Sequence, residues 1–432
     1  MSAAQRLAAL VVTIAVAVGI AIVVVNLVDG GVAADPSASP SASPTASLSA
    51  SGDPTEEPSP ADQDDVRAVL DEIEDQVVAI RGLPAADIEP ELLTREEFRT
   101  ELLASFEEDY PPEEVAEDNA SLRALGLLEA DQDVAELQLQ LLGDEVLGFY
   151  DEVDRRMVVV TDAGLDALAK FTYAHEYTHA LQDAAFGLDA LEIDAEGHDD
   201  RGLARIAFVE GDATVTMFAW ALVHLTPSEL REITNMPPPD TTGIPSWLVE
   251  QTAIFPYTEG LLWAGTLAGD PFSPNFAEID AAYADPPDST EQIVDLTKWE
   301  AREEPIGVEG PDLAAALGDG WAEVDDTPIG QAFMRMMLEY HGTSRDAAMA
   351  ATAGWGGDRV VVATGPDDAF AVAWRLAWDT PDDADEFVEA YRTAISGLGF
   401  PASVTKLDES QVLVAHGSSE EILRRTIDAA DD

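Results

Sequence analysis

The chain reads as a mixed α+β fold: a mainly helical domain with a small β-sheet and an edge strand, followed by a small C-terminal α+β layer. Three observations predict it. From Gln63 to Gly143 and again from Gly164 to Asp183, apolar residues recur at spacings of three and four, the period of a buried helix, and Ala204–His224 is a further apolar segment without Pro. Gly148–Thr161 instead holds two short strand-forming runs across an acidic and basic turn. Beyond Gly354, strand patterns at Arg359–Thr364, Ala369–Trp378 and Gln411–Ala415 alternate with helical ones at Ala384–Gly397 and near Glu420–Ala430.

Taken in order, Leu7–Val28 is apolar apart from Thr13, Gly19 and Asn26, long enough to cross a bilayer and longer than the apolar core of a signal peptide. Arg6 precedes it and no positive charge follows until Arg67. That asymmetry keeps the start inside and exports the rest. Residues 1–34 are therefore expected to be a transmembrane anchor or uncleaved signal, giving a single-pass protein of the cell membrane whose bulk is extracytoplasmic. The alternative is a secreted form, cleaved near Ala34 after Val32-Ala33-Ala34. Residues 35–60, mostly Ser, Pro, Ala and Thr, cannot bury a core and read as a disordered tether. The absence of Cys excludes disulfides and a cysteine-linked lipid. A helical domain spans 61–353, with loops near Pro84, Pro90 and Pro111-Pro112, a Pro-rich region from Pro237 to Pro287 and a further helix over Thr327–His341. The C-terminal α+β subdomain covers 354–432.

Chemistry enters at His175-Glu176-Tyr177-Thr178-His179, inside a stretch whose Leu165, Leu168, Phe171, Ala174, Thr178 and Leu181 mark a buried helix. On that helix His175 and His179 share a face and can bind one metal ion, with Glu176 placed to activate a metal-bound water. A catalytic zinc needs a third protein ligand and an open position. Glu210, the first acid of the apolar segment Ala204–His224, follows Phe208 and Val209 directly; a carboxylate in such a setting needs a partner. It completes a His2Glu set for one Zn2+ per chain. Asp183 and Asp212 are the candidates to orient the ligating imidazoles. His198 is a loop histidine near the site, and His341 and His416 read as structural or exposed.

His-Glu-x-x-His with a later Glu resembles the gluzincin, thermolysin-like metallopeptidases. The wording His175-Glu-Tyr-Thr-His-Ala-Leu-Gln-Asp183 and Val209-Glu-Gly-Asp-Ala213 is similar to little-characterised prokaryotic proteins of that class. So are Gly148-Phe-Tyr-Asp151, Phe255-Pro-Tyr-Thr-Glu-Gly260, Pro286-Pro-Asp-Ser-Thr-Glu-Gln292 and Gly354-Trp-Gly-Gly-Asp-Arg359; the likeness covers roughly residues 115–385. The resemblance implies a zincin-like fold and peptide hydrolysis, with zinc on His175, His179 and Glu210 and Glu176 as general base. It also implies a His or Tyr that stabilises the oxyanion. Tyr257, Tyr173, Tyr150 and His224 qualify; Tyr257 is favoured, in a loop shaped by Pro256 and Gly260. A strand just before the metal helix can pair with extended substrate in zincins, which would explain peptide recognition; alternatively Met157–Val160 is simply a buried strand, and both hold if one edge pairs internally and the other with substrate. One departure stands out, because Ser-Thr-Glu-Gln is followed by His-Pro in the related group and by Ile293-Val294-Asp295-Leu296 here. If that His assists catalysis in the relatives, Asp295 cannot replace it, which puts rate or substrate in question.

With 85 acids against 22 bases and a net charge of −63, the chain excludes nucleic acid as a partner. Such a surface stays hydrated where salt screens its self-repulsion, which points to a saline, halophilic setting. Clustered carboxylates also suit calcium, with no residue assigned. The expected partners are a peptide or protein substrate and, through the N-terminal helix, the membrane. Two functions remain: a membrane-tethered zinc metallopeptidase, or a non-catalytic zinc-containing peptide- or protein-binding protein on a zincin fold. A fourth ligand from Asp183 or His198 would favour the second.

Overall fold

In the computed structural model, residues 60–431 are described except 143–146, 162, 163, 196 and 238. The expected anchor and residues 35–59 of the tether lie outside the described residues. The opening helix α1 (Pro60–Arg81) buries Leu70, Ile73 and Val77, spaced by three and four, against the helices that carry His175 and Glu210. A short strand β1 (Glu91–Leu93) then leads into α2 (Arg95–Asp109), whose start is fixed by a capping box between Thr94 and Glu97. Helices α3 (Pro112–Ala124) and α4 (Val134–Leu142) follow.

Strands β2 (Gly148–Asp151) and β3 (Arg156–Val160) form the expected hairpin, and β1 pairs parallel to the other side of β3. The order β1-β3-β2 decides between the two readings of Met157–Val160 in favour of the buried strand. β3, the strand immediately before the helix of His175, is central and paired on both sides; among the described residues the open edge on that side belongs to β2. Gly148 is required there, because a Cβ would sit 2.5 Å from the Val158 carbonyl oxygen of the paired strand.

Helix α5 (Ala167–Phe186) is capped by Asp166, whose side chain accepts from Ala169 N at 2.8 Å, and ends at Gly187 with φ +72°. Helix α6 (Asp199–His224) begins a turn earlier than the expected Ala204, with Asp199 and Asp200 favouring its N-terminal end. Long and apolar enough by composition to cross a membrane, α6 is buried along most of its length inside the protein. The segment Phe255–Gly260, expected as a loop, is helical: Ser246–Val249 continues through a π turn at Glu250–Ile254 into α7 (Phe255–Ala268), with Pro256 in its first turn. Gly260 acts in packing. A Cβ on it would lie 2.1 Å from Ala207 O, and one on Gly211 2.2 Å from Gly260 O, so α6 and α7 cross backbone to backbone.

The second sheet is antiparallel, ordered β4-β5-β6-β8-β7. Strands β4 (Ala322–Thr327), β5 (Trp355–Gly365) and β6 (Ala369–Trp378) are joined by β7 (Ala402–Lys406) and β8 (Gln411–Gly417). Helix α8 (Gly330–Tyr340) lies between β4 and β5, α9 (Pro381–Ile395) between β6 and β7, and α10 (Glu420–Asp431) closes the described chain. Alternation puts Val360, Val362, Val372, Trp374, Val412 and Val414 into the main core, and Val361, Ala363, Ala373 and Leu413 under Leu313–Leu317 and α10. The layer expected over 354–432 therefore starts upstream of 354, since β4 belongs to its sheet and one core runs through both parts. Asp358, in Gly354-Trp-Gly-Gly-Asp-Arg359, fastens the join by accepting from Ile329 N, Gly330 N, Trp355 Nε1 and Trp374 Nε1 at 2.8–3.1 Å.

Candidate metal centre

Helices α5 and α6 bring His175, His179 and Glu210 together in the interior. His175 Nε2 lies 3.0 Å from Glu210 Oε2 and 2.9 Å from His179 Nε2, and His179 Nε2 lies 3.2 Å from Glu210 Oε1. All three are buried, and among the described residues no other group of His, Asp and Glu converges in this way. Ligands at about 2.0–2.1 Å from a tetrahedral ion sit about 3.3 Å apart, so this set fits one ion. Without an ion, Glu210 and the two imidazoles hold a proton among them, which an ion would displace. Burial opposes charge on His179, but the Glu210 and Glu176 carboxylates and the Gln182 bond raise it to about 9. Burial likewise acts against the Glu210 carboxylate, yet His179 and His175 pull it down to about 2. Burial and the neighbouring imidazole keep His175 below the ordinary histidine range, although Glu210 opposes this.

Glu176 follows His175 and accepts from Tyr150 N at 3.0 Å, an outward-facing amide of edge strand β2. Tyr257, on α7, packs against His175 with ring centroids 6.1 Å apart. Its hydroxyl lies beside Glu210 but outside hydrogen-bonding geometry. Burial, then Glu210 and Glu176, raise its pKa well above the usual phenol, so it remains a neutral donor. The other oxyanion candidates are engaged or distant: Tyr173 donates to Glu74 at 2.5 Å, Tyr150 O–H donates to Asp183 at 2.9 Å, and His224 is exposed at the end of α6.

The residues expected to orient the imidazoles are arranged differently. Asp183 reaches no histidine; it accepts from Tyr150 O–H and from Leu188 N, closing the turn after α5. Asp212 acts at one remove. His179 Nδ1 meets Gln182 Oε1 at 2.8 Å, and Gln182 Nε2 donates to Asp212 Oδ2 at 3.0 Å and to Val209 O at 3.1 Å. Because the amide oxygen only accepts, Nδ1 keeps its proton, so Nε2 is the nitrogen that would give up a proton and offer its lone pair to an ion. Asp212 is in turn held by Arg81 at 2.8 and 3.0 Å and by Tyr283 O–H at 2.8 Å, and Arg81 also pairs with Asp280 at 2.6 Å. Gln182, Arg81 and Tyr283 were not anticipated. Gln182 had a signal, three residues after His179 on one helix face, whereas Arg81 lies 131 residues from Asp212 and had none.

His198 is exposed at the start of α6, and His416 is buried between Tyr391 O–H at 3.1 Å and Ala124 O at 2.9 Å; neither reaches the centre. Asp295 caps Leu296–Glu300 through Thr297, so the departure from the related group falls on a short exposed helix cap. The preceding Ser-Thr-Glu-Gln run fastens the start of α6, where Thr290 donates from N and Oγ1 to Asp200.

Residues 318–426, the five-stranded sheet and its helices, match a domain of unknown function, DUF8575. No curated protein and no solved structure matches the chain. The matched segment lies outside α5 and α6, so the metal-site residues rest on their own geometry.

Proposed function

We propose that the protein is a zinc metallopeptidase, tethered to the membrane by residues 1–34 and hydrolysing peptide bonds outside the cytoplasm. The observation that carries this reading is the convergence of two imidazole Nε2 atoms and one carboxylate, with Glu176 beside them. His175, His179 and Glu210 would hold the ion, which when bound supplies a polarised carbonyl and a water of lowered pKa. Glu176, oriented by the Tyr150 amide, takes a proton from the attacking water and delivers it to the leaving amine. Tyr257 donates its O–H to the developing oxyanion. The outward groups of β2, at Gly148 and the Tyr150 carbonyl, are available to pair with an extended peptide main chain.

A second reading, zinc held without catalysis in a peptide- or protein-binding protein, is favoured by the burial of His175, Glu176, Glu210 and Tyr257. Against it, Asp183 is engaged elsewhere and His198 is exposed, so neither supplies a fourth ligand. Hydrolysis of a mixed peptide library at high salt by the full-length chain separates the two. Cleavage by the wild type and none by Glu176→Gln, at equal zinc content, is the expected result; cleavage by neither would support the second reading.

A further inference from the structure

A cavity of about 100 Å³ lies one helical turn from the centre, among α3, α4, α6, α7 and β4. Leu203 and Ile206 line it, seven and four residues before Glu210, and so share that residue's face of α6. Ile206 is about 6 Å along the axis from Glu210. Pro256, the neighbour of Tyr257, forms part of the wall, and Leu122, Trp247 and Phe333 make much of the rest apolar. Two polar atoms on this lining have no hydrogen-bond partner among the described residues: Ser121 Oγ and Gln138 Oε1, in residues 5% and 4% exposed. A buried amide oxygen in that state awaits a donor. Asp118, Asp199 and Asp325 line it too, and all three also border a second, polar pocket. Burial and then the Asp199 and Asp118 charges raise the Asp325 carboxyl well above its ordinary range, and Asp118 also accepts from Tyr110 O–H at 2.6 Å.

We propose that this cavity is a specificity subsite for a basic side chain of the substrate, an aliphatic stem ending in an ammonium group as in lysine. The methylene stem packs on Leu203, Ile206 and Trp247, as long basic side chains do on apolar surface. An ammonium carries three donors and no acceptor, and the polar part of the cavity offers an amide oxygen, a hydroxyl and carboxylates. The strongly acidic chain attracts basic peptides before they dock. Placement as a subsite rests on the peptidase reading; binding of the side chain does not.

The test is calorimetric titration of full-length Glu176→Gln protein with N-acetyl-lysine methylamide and with its norleucine analogue, before and after chelation of the metal. The lysine compound is expected to bind at least about tenfold tighter in both conditions. Asp325→Asn and Gln138→Leu should each bring that preference below about threefold while leaving zinc content unchanged. Equal or tighter binding of norleucine, no binding of either compound, or an undiminished preference in both variants would overturn the proposal. Lysine binding as expected, with no cleavage of lysine-containing peptides by the wild type, would retain the ligand class and overturn only the subsite's place in a peptidase.

Discussion

Replacing Arg81 by Met tests whether the metal centre is held from behind by a buried ion pair. Arg81 and Asp212 side chains are both fully buried, joined by two hydrogen bonds at 2.8 and 3.0 Å, and Arg81 also meets Asp280 at 2.6 Å. Met fills much of the stem's volume but leaves the Asp212 carboxylate with only the neutral donors Gln182 Nε2 and Tyr283 O–H. Breaking a buried pair on one side costs about 3–5 kcal/mol, because the remaining charge is uncompensated. Asp212→Asn in the Arg81→Met background should restore much of that loss, since a neutral amide needs no cation. The assay is urea unfolding of full-length wild type, both single variants and the double variant at matched zinc content, analysed as a double-mutant cycle. A cost for Arg81→Met below about 1 kcal/mol, or additive single losses, would refute the argument.

Gln182→Leu removes the acceptor that sets the His179 tautomer and should weaken zinc binding by about 10–100-fold, measured by competition with a chelator. Tyr257→Phe should lower kcat by about 10²–10³-fold while unfolding at equal or higher urea concentration, because it deletes a buried hydroxyl that makes no hydrogen bond; a loss of stability would place that hydroxyl in a bond absent from this arrangement. Asp200 is held at about 7, against 3.8 ordinarily, by burial. A raised folded pKa gives stability that is complete below 3.8 and lost as pH rises to 7, so Asp200→Asn should gain about 2–3 kcal/mol on wild type between about pH 5 and pH 8; an unchanged difference in urea unfolding would contradict this. Gly260→Ala must part α6 from α7 and should cost at least about 3 kcal/mol, read by thermal unfolding with Gly265→Ala, which meets nothing within 4 Å, as the control.

The convergence of His175, His179 and Glu210 was legible because its pattern is written in short stretches: the histidines are four positions apart on one helix face, and the Glu210 carboxylate stands out in an apolar run. The hairpin and much of the C-terminal layer were legible for a similar reason, since period-two runs such as Arg359–Thr364 state their own structure. What the sequence withheld was set by partners far along the chain. β4, with the sequence Ala-Glu-Val-Asp-Asp-Thr, carries little strand propensity and is defined by pairing with β5, and β7 similarly by β8. Whether Met157–Val160 would be a buried strand or a free edge stayed open in the sequence, because three-residue β1 gives too weak a signal to show that β3 is paired on both sides. Pro256 and Gly260 suggested a loop, yet proline is tolerated in a first helical turn and this glycine answers a helix crossing. The buried relay from Arg81 through Asp212 and Gln182 to His179 joins elements that only the tertiary fold brings together.

The central claim is that His175, His179 and Glu210 hold one catalytic zinc. Its most direct test is the zinc content of the purified full-length chain, compared with His179→Ala and Glu210→Ala after equal dialysis. The account predicts close to one zinc per chain in the wild type and little in either variant with the fold retained; a wild type without zinc, or variants that keep it, would contradict the assignment.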